Sequence, residues 1–592
     1  MLFYLYTATS GPRVGTVGHN DLAEAFEHGQ LHLLIKPDPR LLALPDPWDP
    51  QANSRYRAHD LVLYNGRYYF YWGPSALLLY LPARFFFGPL KDPIACAIFS
   101  AIGFLGSVWL FQFLARKVAR RIPLWAEALG ILTLGLCSIA PFLIRRGVVY
   151  EVAIACGFAY LLQGLNLLAR GLFDENSPRS WHLAGASLLL GLGVGARPHY
   201  IVYCGFLLIA LTWLWRTNRL DRGSAVALIA PVAVCGLLLA GHNYARFGSI
   251  TEFGVSWHLP GFVNMRHYQQ IHFGRVLPNL FYNLFQPLGI QDRFPYFFPG
   301  RLVRLPVPQP FLLEPVTGII PLCPFILLLI FLPFSDLPKR NPAIARALLL
   351  MPAMGFLLLL SMSTLFGSTM RYLVDFLPLF LVSTLVFWIY LLGEHRWRFM
   401  TMVIVPALMV YSMTVGFAYS FIGPGPHYTP AWVERVMANV VRYATGRGVG
   451  PIEMEVAFPP FDGGPPQPIL STGSYGASDL IFAKYVDTTH LCFCVDHFGT
   501  ASACGSVEPF IPGQFYKVRV DMPSLWHGTR SQNYTAIYLN GKEVLRTDLP
   551  TFAAGFSEVI TLRNGVQATT ARAEFTGTSR TVQRVRDSGN RR

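Results

Sequence analysis

Residues 93–117 read Pro-Ile-Ala-Cys-Ala-Ile-Phe-Ser-Ala-Ile-Gly-Phe-Leu-Gly-Ser-Val-Trp-Leu-Phe-Gln-Phe-Leu-Ala-Arg-Lys. Positions 93–115 carry no charge, and a basic pair follows at once. A helix needs about 20 apolar residues to cross a hydrocarbon layer of ~30 Å, and basic residues gather at its cytoplasmic end. This stretch therefore predicts a membrane span, and the pattern repeats. Further spans are expected at about 124–144, 147–169, 182–196, 198–215, 223–243, 317–335, 344–362, 373–393 and 399–421, judged by length and apolarity. Only Arg197 separates the pair 182–196 and 198–215.

Composition agrees. The 592 residues are 53% hydrophobic and only 14% charged, against about 25% charged in soluble domains, and mean hydropathy is +0.38. The net charge of +15 is spread in short clusters between apolar runs rather than on one basic face, so no nucleic-acid partner is expected. The clusters Arg116-Lys117 with Arg120-Arg121, Arg170 to Arg179, Arg216 to Arg222, Lys339-Arg340 with Arg346, and Arg396 with Arg398 fall on alternate loops, which are read as cytoplasmic. Residues 10–73, the loop 243–317, the turn 364–371 and the C-terminal region then lie on the opposite side. Residues 1–9 lack the charged start of a signal peptide and are too few to span. The first helix is thus expected to be truncated, for a count of about eleven.

Between the first two hydrophobic segments, residues 74–88 are apolar but interrupted by Pro82 and Arg84. That composition suits a helix lying at the membrane surface. The second outer loop is rich in aromatics, at 280–286 and 293–298. An interfacial belt explains this density, and stacking faces for sugar rings are the alternative.

Past residue 423 the texture changes. Residues 430–445 read as an amphipathic surface helix, and the Pro/Gly-rich run up to 466 as a linker. Strand-like runs follow at 479–486, 491–498, 515–522, 535–539, 542–547, 558–562 and 572–576, with Asn540-Gly541 as a type I′ hairpin signal. The expected organisation is a transmembrane domain over 1–423, a helix and linker over 424–466, a β-sandwich over 467–580 and a disordered basic tail over 581–592. Six cysteines sit in or beside apolar segments as small hydrophobes. Cys492 and Cys494 share a strand face, so either could reach Cys504.

The chemistry is expected among charged residues at span ends on the outer side, because such residues are costly in a membrane without a task or a partner. Asp21 and Asp60 lie in the first outer loop. Arg145, Arg146 and Glu151, then Arg197, Arg246, Glu252, Arg371 and Asp375 lie at turns between spans. Arginines around a few carboxylates suit a phosphate-linked substrate: guanidinium forks hold phosphate oxygens and a carboxylate takes a hydroxyl proton. Salt bridging among the loops, such as Arg371 with Asp375 one helical turn on, is the structural alternative.

Five stretches, in order, resemble the GT-C superfamily of polytopic glycosyltransferases that use polyprenyl-phosphate sugars. They are Gly18-His-Asn-Asp-Leu-Ala-Glu-Ala-Phe26, Tyr64-Asn-Gly-Arg-Tyr-Tyr-Phe-Tyr-Trp-Gly-Pro74, Arg145-Arg146 running into Tyr150-Glu151, His242-Asn-Tyr-Ala-Arg-Phe-Gly-Ser249 with Glu252-Phe-Gly254, and Met370-Arg-Tyr-Leu-Val-Asp-Phe-Leu-Pro378. The resemblance covers most of residues 1–421. It implies a GT-C-like fold of about eleven membrane helices and puts the catalytic Asp soon after the first helix, at Asp21, with Asp60 as the second candidate. Arg146, Arg197, Arg246 and Arg371 would hold the donor phosphate, supported by Glu151, Asn243, Glu252, Tyr372 and Asp375. Asp21 has no acidic neighbour, so use of a divalent metal stays open, and no protein-bound organic cofactor is expected. The β-rich region resembles a concanavalin-like or laminin-G-like carbohydrate-binding sandwich.

The implied activity is an inverting transfer from a polyprenyl-phosphate sugar to a glycan, lipid or protein acceptor. It would occur in the lipid bilayer at the outer face of a bacterial inner membrane, with the C-terminal domain periplasmic. A flippase for a lipid-linked sugar would use the same arginines without a base, but the chain has no internal repeat and no charge deep in a span. A non-catalytic scaffold that binds glycan through its sandwich is the other rival.

Overall fold

A computed structural model describes residues 2–9, 17–173, 180–291, 295–300, 303–365, 367–422, 436, 439–440, 449–474, 477–498, 501–526, 533–552, 554–565 and 570–585. They form two compact units. The first comprises Met1–Gly289 with Phe298–Phe421, and the second Ile290–Phe297 with Ile422–Arg592.

The first unit is a polytopic helical membrane fold. Seven of its described helices are long and apolar enough to span: Asp92–Val118, Leu124–Arg146, Val149–Leu172, Pro198–Arg216, Arg222–Phe247, Pro342–Met362 and Met400–Tyr419. Three other expected spans are shorter apolar helices, Ser180–Ala196, Pro324–Phe334 and Leu377–Leu392. Proline explains one of these. Pro321, Pro324 and Pro333 remove donors and crowd the preceding turn, so this stretch winds as a single α-turn and then as 3₁₀-helix. A helix is present after the first loop, at Leu77–Phe87.

Val149–Leu172 is the hub, 83% buried over its most apolar window, whereas Arg222–Phe247 is only 17% buried. The exposed face of the latter carries Val234, Leu237 and Leu238, an apolar surface that a lipid environment satisfies. Helices Asp92–Val118 and Ser180–Ala196 both pack on the hub, and Arg222–Phe247 packs on Ser180–Ala196.

The second unit is an antiparallel sandwich of two five-stranded sheets. One runs in the order Ala501–Pro509, His490–His497, Ala477–Tyr485, Gln467–Ser474, Val559–Thr561, and the other Lys542–Thr547, Thr535–Leu539, Phe515–Asp521, Ile452–Ala457, Thr578–Arg584. Ile481 and Phe493 of the first sheet share one core with Val518 and Ile537 of the second. Asn540 and Gly541 both adopt positive φ (49° and 85°), as the I′ turn requires.

Two boundaries differ from expectation. The sandwich begins at Ile452, inside the expected linker, and its last strand, Thr578–Arg584, runs on into the expected tail. Residues 572–576 form no strand beyond one bridge between Arg563 and Glu574. Most of the expected helix at 430–445 lies outside the described residues. Cys494 and Cys504 face each other across their strands as a disulfide, and the Cys492 thiol lies 3.9 Å from the Cys494 sulfur.

Candidate functional site

The site is built from a broken helix. Leu124–Cys137 ends, Ile139 takes a left-handed φ of 63°, and Ala140–Arg146 restarts with Pro141 in its first turn. A β-branched residue in that conformation is strained. Gly147 then reverses the chain at φ 43°, where a Cβ would meet the Ile144 carbonyl oxygen and Pro93 at 2.9 Å. The next helix therefore starts beside the last one, and Arg146 Nε bonds the fully buried Glu151 carboxylate at 2.9 Å.

A short parallel pairing of Leu312–Leu313 with Gly367–Ser368 delivers the second carboxylate. Glu314 follows directly, and Arg371 grips it with both terminal nitrogens at 3.0 Å each while Thr369 donates a third bond at 2.8 Å. Arg371 also lies 3.7 Å from Glu151, and Arg146 lies 3.9 Å from Glu314. Two arginines and two glutamates thus form one closed network. Burial opposes the Arg371 charge, but Glu151 and Glu314 outweigh it and hold its pKa up. Among the described residues Arg146 Nη1 makes no hydrogen bond, which leaves a donor for a ligand oxygen.

Next to this network, Arg197 pairs with buried Asp375 at 2.9 Å. Tyr200 donates to the same carboxylate at 2.8 Å, and His199 lies 3.5 Å away. Asp375 is therefore the partner of Arg197, not of Arg371. Among the described residues Arg197 Nη1 has no hydrogen-bond acceptor. The guanidinium groups of Arg197 and Arg371 stand over the Tyr372 ring at 5.4 and 5.9 Å, which joins the two clusters.

Asp60 reaches the same place from the first outer loop. Its backbone, at φ 58°, is tied to Leu259, and its carboxylate accepts the Tyr150 hydroxyl between His59 and His258 at 3.5 and 3.4 Å. The Tyr150 ring in turn lies 5.3 Å below the Arg371 guanidinium. Tyr71, Trp72 and Tyr150 line up as neighbouring rings (4.6 and 5.9 Å between centroids), and Tyr71 contacts His258 at 4.4 Å. Burial, with the Asp60 charge beside it, holds the Tyr71 phenol well above its usual range, so it stays a donor at neutral pH.

Asp21 is placed differently. Its carboxylate accepts the Gly18 N–H at 2.7 Å and caps the helix His19–Glu27. Arg84 and Asp92 are within its electrostatic reach. Arg246 is occupied as well, donating to the Phe70 carbonyl and to Asn243 at 2.8 Å, with no acceptor for Nε among the described residues. Glu252 folds back on its own loop, accepting from Gly254 N–H and Ser256. The structure therefore brings Asp60, Arg146, Glu151, Arg197, Arg371, Tyr372 and Asp375 together, whereas the hydrogen bonds of Asp21, Asn243, Arg246 and Glu252 go to groups outside this set. Tyr150 and Tyr71 lie in stretches quoted for the resemblance but carried no role there, and Glu314 and His258 were not singled out by the sequence reading. Glu314 had a signal, being the one acidic residue between Asp292 and Asp336.

Among the described residues, the one group of three or more His, Cys, Asp or Glu whose ligand atoms converge as a metal site would is Cys492, Cys494 and Cys504 in the sandwich.

The chain is similar to the oligosaccharyltransferase of Archaeoglobus fulgidus, at 13% identity and a TM-score of 0.39 over 73% of this chain and 57% of that one. It is also similar to ArnT from Cupriavidus metallidurans, at 14% identity and a TM-score of 0.35 over 71% and 74%. The chain thus spans little more than half the length of the archaeal protein. No protein-family model and no curated protein matches it. No functional reading rests on likenesses this distant.

Proposed function

We propose that this protein is a membrane glycosyltransferase that moves a sugar from a polyprenyl-phosphate donor to an acceptor hydroxyl, with Asp60 as general base. The observation that carries the reading is Tyr150, which bonds the Asp60 carboxylate with its hydroxyl and supports Arg371 with its ring. A proton acceptor and cations able to hold a leaving phosphate thereby share one wall.

In the proposed step the acceptor hydroxyl gives its proton to Asp60 as its oxygen attacks the anomeric carbon. The bond from that carbon to the phosphate oxygen breaks, its electron pair leaves with the phosphate, and the configuration inverts. Positive charge builds on the sugar in between, as in other glycosyl chemistry. Arg146, with its unused Nη1, and Arg371 take the departing phosphate oxygens. Arg197 acts as a positioning residue, holding Asp375 and the Tyr372 ring. Tyr71 and Trp72 offer flat faces to the sugar. By the distribution of basic loops, this wall and the C-terminal sandwich face away from the cytoplasm of a bacterial inner membrane.

The test is product formation from a radiolabelled polyprenyl-phosphate sugar by the purified chain, its Asp60→Asn variant and its Asp21→Asn variant. We expect Asp60→Asn to abolish transfer and Asp21→Asn to retain most of it. The reverse pattern assigns the base to Asp21. Movement of label across vesicles without bond formation, in every variant, replaces the enzyme reading by a flippase.

A further inference from the structure

The hub helix has a second feature at its far end. Tyr150 and Leu172 lie at opposite ends of Val149–Leu172, about 33 Å apart at 1.5 Å per residue. Around the Leu172 end a cavity of about 580 Å³ opens between Asp92–Val118, Val149–Leu172, Pro198–Arg216 and Pro342–Met362, a size typical of ligand pockets. Leu114, Leu168, Ile209, Trp213 and Leu350 make its walls apolar.

Its lining also includes Arg216 and Arg346. Arg216 is the last residue of its helix and Arg346 the fifth of its own, about 6 Å from the start. Both are exposed, and neither forms a hydrogen bond or ion pair among the described residues. The contrast with the other end is sharp, since Arg146, Arg197, Arg246 and Arg371 all have protein partners there. Two cations near helix ends, unpaired among the described residues and lining an apolar groove, match the two halves of an anionic phospholipid.

We propose that this cavity holds one anionic phospholipid of the leaflet on the basic-loop side, its acyl chain along the groove and its phosphate between Arg216 and Arg346. The occupant differs from the sugar donor, whose phosphate belongs near Arg146 and Arg371. The site stands whether or not the transferase reading does.

The test compares phospholipid retained by the full chain after purification in mild detergent, measured by mass spectrometry. The variants are Arg216→Gln/Arg346→Gln, Thr212→Trp, which fills the groove from an exposed wall position and leaves both arginines, and Arg398→Gln as a basic control outside the lining. We expect the wild type and Arg398→Gln to retain about one anionic phospholipid per chain and the other two to retain several-fold less. After delipidation, phosphatidylglycerol should raise the wild-type Tm by several degrees and leave Tm of the double variant unchanged, while phosphatidylcholine and glycerol 3-phosphate do nothing. Equal retention by all variants, a full shift with glycerol 3-phosphate alone, or a polyprenyl phosphate as the retained lipid overturns the proposal.

Discussion

The Tyr150 hydroxyl donates to the Asp60 carboxylate, and no other described side-chain hydroxyl does so. That bond fixes an otherwise loop-borne carboxylate against the hub helix and orients its second oxygen toward His258. Tyr150→Phe removes the bond but keeps the ring beneath Arg371. A hydrogen bond to a charged group contributes about 1.5–3 kcal/mol, so kcat should fall roughly 10- to 100-fold with KM little changed. A steady-state assay with the lipid-linked donor checks this. Wild-type kcat in Tyr150→Phe would remove Asp60 from the reaction.

Glu314→Gln attacks the network from the other side. The carboxylate accepts both Arg371 nitrogens and Thr369, whereas an amide accepts at one atom and turns its own donors on the guanidinium. A loss of about 1.5–3 kcal/mol of stability is expected, read as a lower Tm in detergent. Because the two residues are in direct contact, Glu314→Gln with Arg371→Gln should lose less than the sum of the single variants. Strict additivity would show the pair to be energetically independent.

How far this site was legible follows from the same pair. Isolated charges at span ends announced Arg371, Glu151 and Asp375, because a membrane tolerates them only with a purpose. Partner choice was not legible. Arg371 and Asp375 stand four apart and would face each other on an α-helix, but Met370–Asp375 is 3₁₀, where residues three apart eclipse. Arg371 then turns to Glu314, 57 positions away, a contact that only the Leu312–Gly367 pairing explains. In the sandwich, strands with alternating apolar residues were readable. Ile452–Ala457 was masked by the Pro/Gly run that follows it, and Thr578–Arg584 is an edge strand with almost every side chain exposed, so it has no hydrophobic period to read.

Gly73 and Gly66 lie seven residues apart in the same loop and should respond in different ways. A Cβ on Gly73 would sit 1.8 Å from the Gly195 carbonyl oxygen, backbone against backbone, whereas Gly66 faces open space at φ 70°. Gly73→Ala must push the loop off Ser180–Ala196 and should cost more than about 3 kcal/mol or abolish folding. Gly66→Ala meets only left-handed strain, about 1 kcal/mol. Thermal unfolding and detergent-extractable yield separate the two, and equal effects would contradict the packing of this loop.

His19 predicts a pH dependence. The imidazole is fully buried between the Phe70 and Tyr80 rings, at 5.1 and 5.3 Å, and neither ring nitrogen has a hydrogen-bond partner among the described residues. Desolvation drops its pKa from 6.5 to about 3. A group whose pKa is lower when folded binds its proton more tightly when unfolded, so its share of stability is complete above pH 6.5 and is lost as pH falls toward 3. Between pH 7.5 and 5.5 that loss amounts to about 1.4 kcal/mol. Phenylalanine fits between the same two rings and does not titrate, so His19→Phe should flatten the fall while leaving the other histidines to contribute equally in both proteins. Tm measured at the two pH values for both proteins decides it: a wild-type slope no steeper than that of His19→Phe would mean that water reaches the imidazole and that the helix carrying Asp21 is not sealed against the loop.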